Sequence, residues 1–301
     1  MSPRRTRSQT KASNVPNFSP SAGENFLNKL VAGPPADNGI ASLPGTLTRT
    51  ITRLSAQDQR ILMRKQKWLR QYSVTIPTRF AKYASAIDVT LVFAQEEAGT
   101  AACIAPNGMI LTCSHCVAEN IDELGKSKGY WLLFRSGITV KANCVAWDPK
   151  RDLALLQIVA AQRPTPGEDC DEPLFPFITV NTTSPAIDSP LVCIGHPGSE
   201  DLEVSQPGVK TNYDVLHVST GRFRGFVEGQ DPQDNSEIGA LMHDCWTYWG
   251  HSGAPLLELQ TGKLVGLHSS WDDKTGMRRG VPLEAIQVFL RENEEHLALP
   301  H

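Results

Sequence analysis

Three residues of the types needed for acyl transfer to a hydroxyl occur in the order His115, Asp152, Ser252, at intervals of 37 and 100 residues. That chemistry needs a hydroxyl nucleophile, an imidazole to remove its proton, and a buried carboxylate to hold the imidazole in the working tautomer. His115 ends the apolar run Met109-Ile110-Leu111-Thr112-Cys113-Ser114, directly after small residues. Asp152 stands just before the apolar run Leu153-Ala154-Leu155-Leu156, where the following backbone can fix its carboxylate. Ser252 lies in Gly250-His251-Ser252-Gly253, a glycine-flanked loop in which backbone N–H groups can converge on an oxyanion.

Rival chemistries fit less well. A serine between glycines also marks the strand–turn–helix elbow of an α/β-hydrolase, but Ser252 is followed by Pro255 and a hairpin pattern, and too little chain remains for further β–α units. Cys113-Ser114-His115-Cys116 has a C-x-x-C spacing that could hold zinc with Cys193 and His196 as a second half. The halves are 77 residues apart with no knuckle-like turn, so buried thiols are the simpler reading and no metal or organic cofactor is implied. His196, His251 and His268 read as turn or core histidines satisfied by backbone bonds.

The elements that must position the three residues are mostly strands. From Ile87 the chain becomes short β-rich runs separated by turn residues, among them Pro106-Asn107-Gly108 and the hairpin loop Gln260-Thr261-Gly262. Strands at short spacing without intervening helices point to a sandwich or barrels rather than a parallel α/β sheet. Two helices flank them. Ser55 is placed as the N-cap of a helix with Ile61, Leu62, Trp68 and Leu69 on one stripe, and residues 282–293 form the late helix.

Residues 1–48 are rich in Ser, Pro, Asn, Gly and Ala, a composition that buries too little surface to offset ordering, so a disordered arm is expected. Its basic start also suits a mitochondrial presequence or a nuclear signal, although Pro16 and Pro20 disfavour a long presequence helix. Twenty-nine Lys and Arg against 32 Asp and Glu give a net charge of −3, so nucleic acid is not an expected partner. No apolar run is long enough for a transmembrane helix, and no secretion signal is read. Seven cysteines without a scaffold pattern read as reduced thiols in an intracellular protein, cytoplasmic or nuclear, with a mitochondrial location the alternative.

Four segments together resemble the trypsin-like, chymotrypsin-fold serine peptidases, specifically the compact intracellular branch related to the HtrA/Deg proteins. They are Gly99-Thr100 leading to His115, Trp147-Asp148 through Asp152-Leu155, Val192 through Gly198, and Gly250-x-Ser252-Gly253-x-Pro255-Leu256. The resemblance implies an all-β fold of two six-stranded antiparallel barrels with the active site between them. The segments would then be a helical extension at 49–74, a first barrel at 78–183, a second barrel with its helix at 184–293 and a tail at 294–301. It further implies a serine endopeptidase acting on polypeptides through an acyl-enzyme, with Gly250 and Ser252 N–H groups as the oxyanion hole. A catalytically silent peptide- or protein-binding domain is the alternative.

Trp246, Ser269, Ser270 and Trp271 would sit around the specificity pocket, with Trp246 disfavouring cleavage after Lys or Arg and Trp271 narrowing the pocket toward small apolar side chains. His251 departs from the Asp or Asn usual before the nucleophile, which argues against activation by pairing with a new N-terminus. The end of the chain leaves no room for a PDZ domain, none of which is expected.

Overall fold

The computed structural model describes residues 40–42, 55–71, 78, 84–95, 99–127, 129–162 and 175–297. The arm expected at 1–48 therefore lies outside the described residues except at Ile40–Ser42, which form a short strand, β1.

Helix α1 spans Ala56–Gln71. Ser55 caps it: its hydroxyl accepts from the Asp58 N–H at 3.1 Å and donates to the Asp58 carboxylate at 2.8 Å. Leu62 and Leu69 are buried against the core, with Ile61 and Trp68 partly buried beside them. Each such leucine contributes about 1.5–3 kcal/mol when fully removed from water. Gln66 fixes the helix laterally by donating to the Gly137 carbonyl and the Thr139 hydroxyl, both at 3.1 Å.

After α2 (Ala84–Asp88), six strands build the first barrel: β2 (Thr90–Phe93), β3 (Thr100–Ala105), β4 (Met109–Thr112), β5 (Tyr130–Phe134), β6 (Thr139–Asp148) and β7 (Leu153–Gln162). A short helix, α3 (Ile121–Lys126), follows β4 with Asn120 as its cap. The order is β7-β4-β3-β2-β5-β6, closed because β7 pairs with both β4 and β6, and β1 adds to β7 at Ala160–Gln162. The second barrel uses β8 (Pro190–Gly195), β9 (His217–Phe226), β10 (Leu241–His243), β11 (Pro255–Glu258), β12 (Leu264–Trp271) and β13 (Arg278–Pro282). It closes in the order β10-β13-β12-β11-β8-β9. All pairings between these strands are antiparallel, and closure leaves no unpaired edge within either ring.

The predicted turns appear where their glycines allow them. Gly108 has φ +83° between β3 and β4, and Gly262 has φ +69° between β11 and β12. Helix α4 (Leu283–Glu292) follows the second barrel, burying Leu283, Ala285, Ile286 and Phe289 at helical spacing. Phe289 and Ile286 join the larger core, which holds the first barrel and α1. A smaller core, including Cys193, Phe223, Leu241, Cys245 and Leu256, fills the second barrel. The chain ends its described part with α5 (Glu294–Leu297). No helix among the described residues is long and apolar enough to cross a membrane.

Candidate active site

His115 sits in a 3₁₀ turn, Ser114–Cys116, immediately beyond β4, while Asp152 ends the tight connection from β6 to β7. Asp148 starts that connection, its carboxylate accepting the N–H groups of Lys150 and Arg151, both at 3.0 Å. Asp152 itself has φ +55°, a left-handed conformation that Asp tolerates better than most residues. Arg151 anchors the same turn to the second barrel side, bonding Gln233 at 2.8 Å and Glu292 at 2.8 and 3.1 Å.

The turn delivers the Asp152 carboxylate, only 6% exposed, to the His115 ring, which is 46% exposed. His115 Nδ1 lies 2.8 Å from Oδ1 and 3.0 Å from Oδ2. Three further donors converge on the same group: the Ser114 hydroxyl at 3.0 Å, the His115 N–H at 3.2 Å and the Ser269 hydroxyl at 2.7 Å. Burial disfavours the carboxylate's charge, but His115 and the Ser269 hydroxyl outweigh it and hold Asp152 below the ordinary carboxylate range. Desolvation likewise opposes protonation of His115, and the Asp152 carboxylate outweighs it, so the imidazole titrates above its ordinary value.

Ser252 reaches this cleft from the loop before β11. Gly250 has φ +95° and Gly253 φ +81°, and a Cβ at 250 would meet the His196 carbonyl oxygen at 2.5 Å. Thr100 of the first barrel ties the loop down, its N–H donating to the Ser252 carbonyl at 2.8 Å and its hydroxyl to the Gly250 carbonyl at 2.7 Å. The Gly253 N–H donates to the His268 carbonyl at 2.8 Å. Among the described residues neither the Gly250 nor the Ser252 N–H is engaged in a hydrogen bond, which leaves both available to an oxyanion. The Ser252 hydroxyl donates to the Ser269 carbonyl at 3.0 Å rather than to His115. Ser269 thus touches both Ser252 and Asp152.

The four residues expected around the pocket separate. The Ser269 side chain is committed to Asp152. The Trp246 ring packs among Tyr213, His217, Tyr248 and His251. Trp271 meets Trp249 edge to face, with ring centroids 4.9 Å apart, and the guanidinium of Arg278. The Ser270 hydroxyl is buried without a partner. Trp249 and Arg278 were not singled out from the sequence.

His251, which stands where the resemblance implies Asp or Asn, is fully buried. Its Nδ1 lies 3.0 Å from the Tyr248 carbonyl, its ring fills the space a Cβ at Gly195 would need, and burial holds it well below the ordinary imidazole value. The loop is therefore braced by a neutral ring. His196 Nδ1 bonds the Val215 carbonyl at 2.6 Å, and His268 Nδ1 bonds His243 Nε2 at 3.1 Å. Cys193 lies in the second barrel core, away from Cys113 and Cys116, so the zinc set considered from spacing is not assembled. The one metal-capable group among the described residues, Cys113, His115 and Asp152, is built around the His115–Asp152 pair.

The trypsin-like peptidase domain family model matches residues 99–267, more than half of the chain and a span that includes His115, Asp152 and Ser252. Among solved structures, the HtrA-type protease AlgW with a decapeptide is 21% identical at a TM-score of 0.45, matching 66% of this chain and 52% of that one. This chain therefore spans about half the length of AlgW. The protease Rv3671c from M. tuberculosis, in an inactive form, is 15% identical at 0.49, covering 76% and 100%. The serine endoprotease from Yersinia pestis is 19% identical at 0.48, covering 73% and 67%. With the family model matched over more than half of its length, the chain belongs to the trypsin-like peptidase domain family.

Proposed function

We propose that this protein is a serine endopeptidase in which Ser252 attacks the scissile carbonyl, His115 removes its proton and later returns it to the leaving amine, and Asp152 holds the imidazole. The observation that carries the reading is the Asp152 carboxylate, which accepts four donors and leaves His115 Nδ1 no role but donor, so that Nε2 faces the reaction as a base. The Ser252 hydroxyl has to leave the Ser269 carbonyl to meet Nε2, and catalytic hydrogen bonds of this kind often form only when substrate binds. The N–H groups of Gly250 and Ser252 would stabilise the tetrahedral oxyanion. Polypeptide is the substrate class, and a reducing compartment suits the scattered cysteines.

The test is hydrolysis of an unfolded protein substrate by the wild type, Ser252→Ala and Asp152→Ala. Turnover by the wild type with loss in both variants supports the assignment. Binding of peptides by a well-folded wild type that hydrolyses none would instead favour a silent recognition domain.

A further inference from the structure

Two adjacent arginines on β13 point to opposite faces of the strand. Arg279 is structural: it is 5% exposed, and its Nε and Nη2 bond the Gly239 carbonyl at 2.8 Å and Gln230 at 3.0 Å. Arg278 is different. It stands opposite His243 on β10 and Trp271 on β12, and so shares the face of the fully buried His243. Its guanidinium donates to the Gly276 carbonyl at 2.8 Å and the Thr247 carbonyl at 3.4 Å, and its centre lies 5.9 Å from the Trp271 ring centroid.

No carboxylate forms an ion pair with Arg278 among the described residues, and its Nε is buried without a partner. Glu203 attracts it from beyond ion-pair distance. Burial without a counter-charge holds its pKa below the ordinary arginine value. The hydroxyl of Thr247, whose carbonyl accepts from Arg278, is also buried and unpartnered. Thr247 lies in the same loop as Ser252, five residues before it. Ser270 stands opposite Arg279 and so turns to the other face of the sheet. Trp271, on the face of Arg278, meets Trp249, which is next to Gly250.

We propose that Arg278, with the Thr247 hydroxyl, forms the pocket for the residue whose carbonyl is attacked, and that this pocket selects aspartate or glutamate. A half-buried guanidinium without an ion-pair partner gains from a substrate carboxylate, which supplies the counter-charge in a geometry the planar fork can meet with two bonds. The free Thr247 hydroxyl can donate to the same carboxylate. Trp271 then acts as a wall lying against the cation rather than as a filter for small apolar side chains. This specificity rests on the serine-peptidase reading above, and the experiment keeps the two separate.

Purified protein is treated with a fluorophosphonate, which requires only the activated serine, and separately with peptidyl diphenyl phosphonates identical except for Glu, Gln or Leu at the acyl-side position. Inactivation rates are read by intact mass. The expected result is labelling by the fluorophosphonate together with a Glu reagent faster than its Gln twin by about 30-fold or more, the range for pairing a buried charge. In Arg278→Gln the Glu-to-Gln ratio falls to near unity, a ratio read within one protein so that overall activity cancels. Should that variant fail to fold, the wild-type ratio alone decides. Equal rates, a faster Gln or Leu reagent, or no reaction with any of the three overturns the pocket while fluorophosphonate labelling preserves the peptidase reading. Absence of fluorophosphonate labelling removes both.

Discussion

Replacing Asp152 by asparagine changes one oxygen for an amino group and nearly nothing in shape, and the geometry states what that should do. Every partner of the carboxylate is a donor in the native arrangement. The amide oxygen must occupy the Oδ1 position, because the backbone N–H of His115 points there at 3.2 Å and cannot rotate to accept. The amino group then occupies the Oδ2 position, 3.0 Å from His115 Nδ1. An Nδ1–H would keep the amide oxygen at 2.8 Å but press against the amino group at 3.0 Å, whereas a bare Nδ1 accepts from that amino group, so the balance shifts toward the tautomer with a protonated Nε2, which cannot accept the Ser252 proton. In the serine protease template a change of this kind costs about 10⁴-fold in turnover, or roughly 5 kcal/mol of barrier. The Ser114 hydroxyl goes on donating to the amide oxygen and the Ser269 hydroxyl can reverse its role, so thermal stability at neutral pH should fall by only about 1–3 kcal/mol. The pH dependence has a defined sign. Because the folded pKa of Asp152 is depressed, its contribution is present above about pH 4 and lost as pH falls through the folded value, and Asp152→Asn should lack that part of the acid transition. The assays are peptide hydrolysis, fluorophosphonate inactivation rates and ¹⁵N imidazole spectra. Activity within tenfold of wild type, with Nδ1 still protonated, would refute the tautomer mechanism.

Other outcomes follow from the same coordinates. Activity of the wild type should fall on the acid side with a midpoint above about pH 6.5, because the Asp152 carboxylate raises His115 and only the neutral ring accepts a proton; a kcat/KM profile with a lower midpoint contradicts this. Gly253→Ala should cost about 3 kcal/mol or more by thermal denaturation, since its φ is +81° and a Cβ would strike the Thr100 carbonyl and Thr112 hydroxyl, whereas Gly276→Ala, with φ +72° but open space, should cost about 1 kcal/mol. Arg151→Ala removes the bonds from the Asp152 turn to Gln233 and Glu292. Glu292 is 52% exposed, so screening limits the stability loss to about 1 kcal/mol, and the larger effect should appear in kcat.

Much of the fold was legible because strands, turns and caps have local signatures. Ser55 was readable as a cap from the helical stripe that follows it, and Gln260-Thr261-Gly262 as a hairpin from the flanking apolar runs. His115, Asp152 and Ser252 could be picked out from their settings, and the structure places His115 against Asp152 while the Ser252 hydroxyl points to Ser269. Ser269 was placed in the pocket because sequence cannot show a strand irregularity. The register of β12 on β13 shifts between His268 and Ser270, and the intervening residue turns its hydroxyl to Asp152. The Trp246 ring was illegible for a similar reason, its direction being set by Tyr213 and His217, which lie about 30 residues earlier in the chain. Arg278 gave no signal, since a strand cation acquires meaning only when the counter-charges around it are known to be missing.

The most direct test of the catalytic assignment is the site of covalent modification by a fluorophosphonate, located by intact mass and peptide mapping. One adduct per chain on Ser252, absent in Ser252→Ala and much slower in Asp152→Asn, is the expected result. A folded wild type that remains unmodified, or that carries its adduct on a different residue, would contradict it.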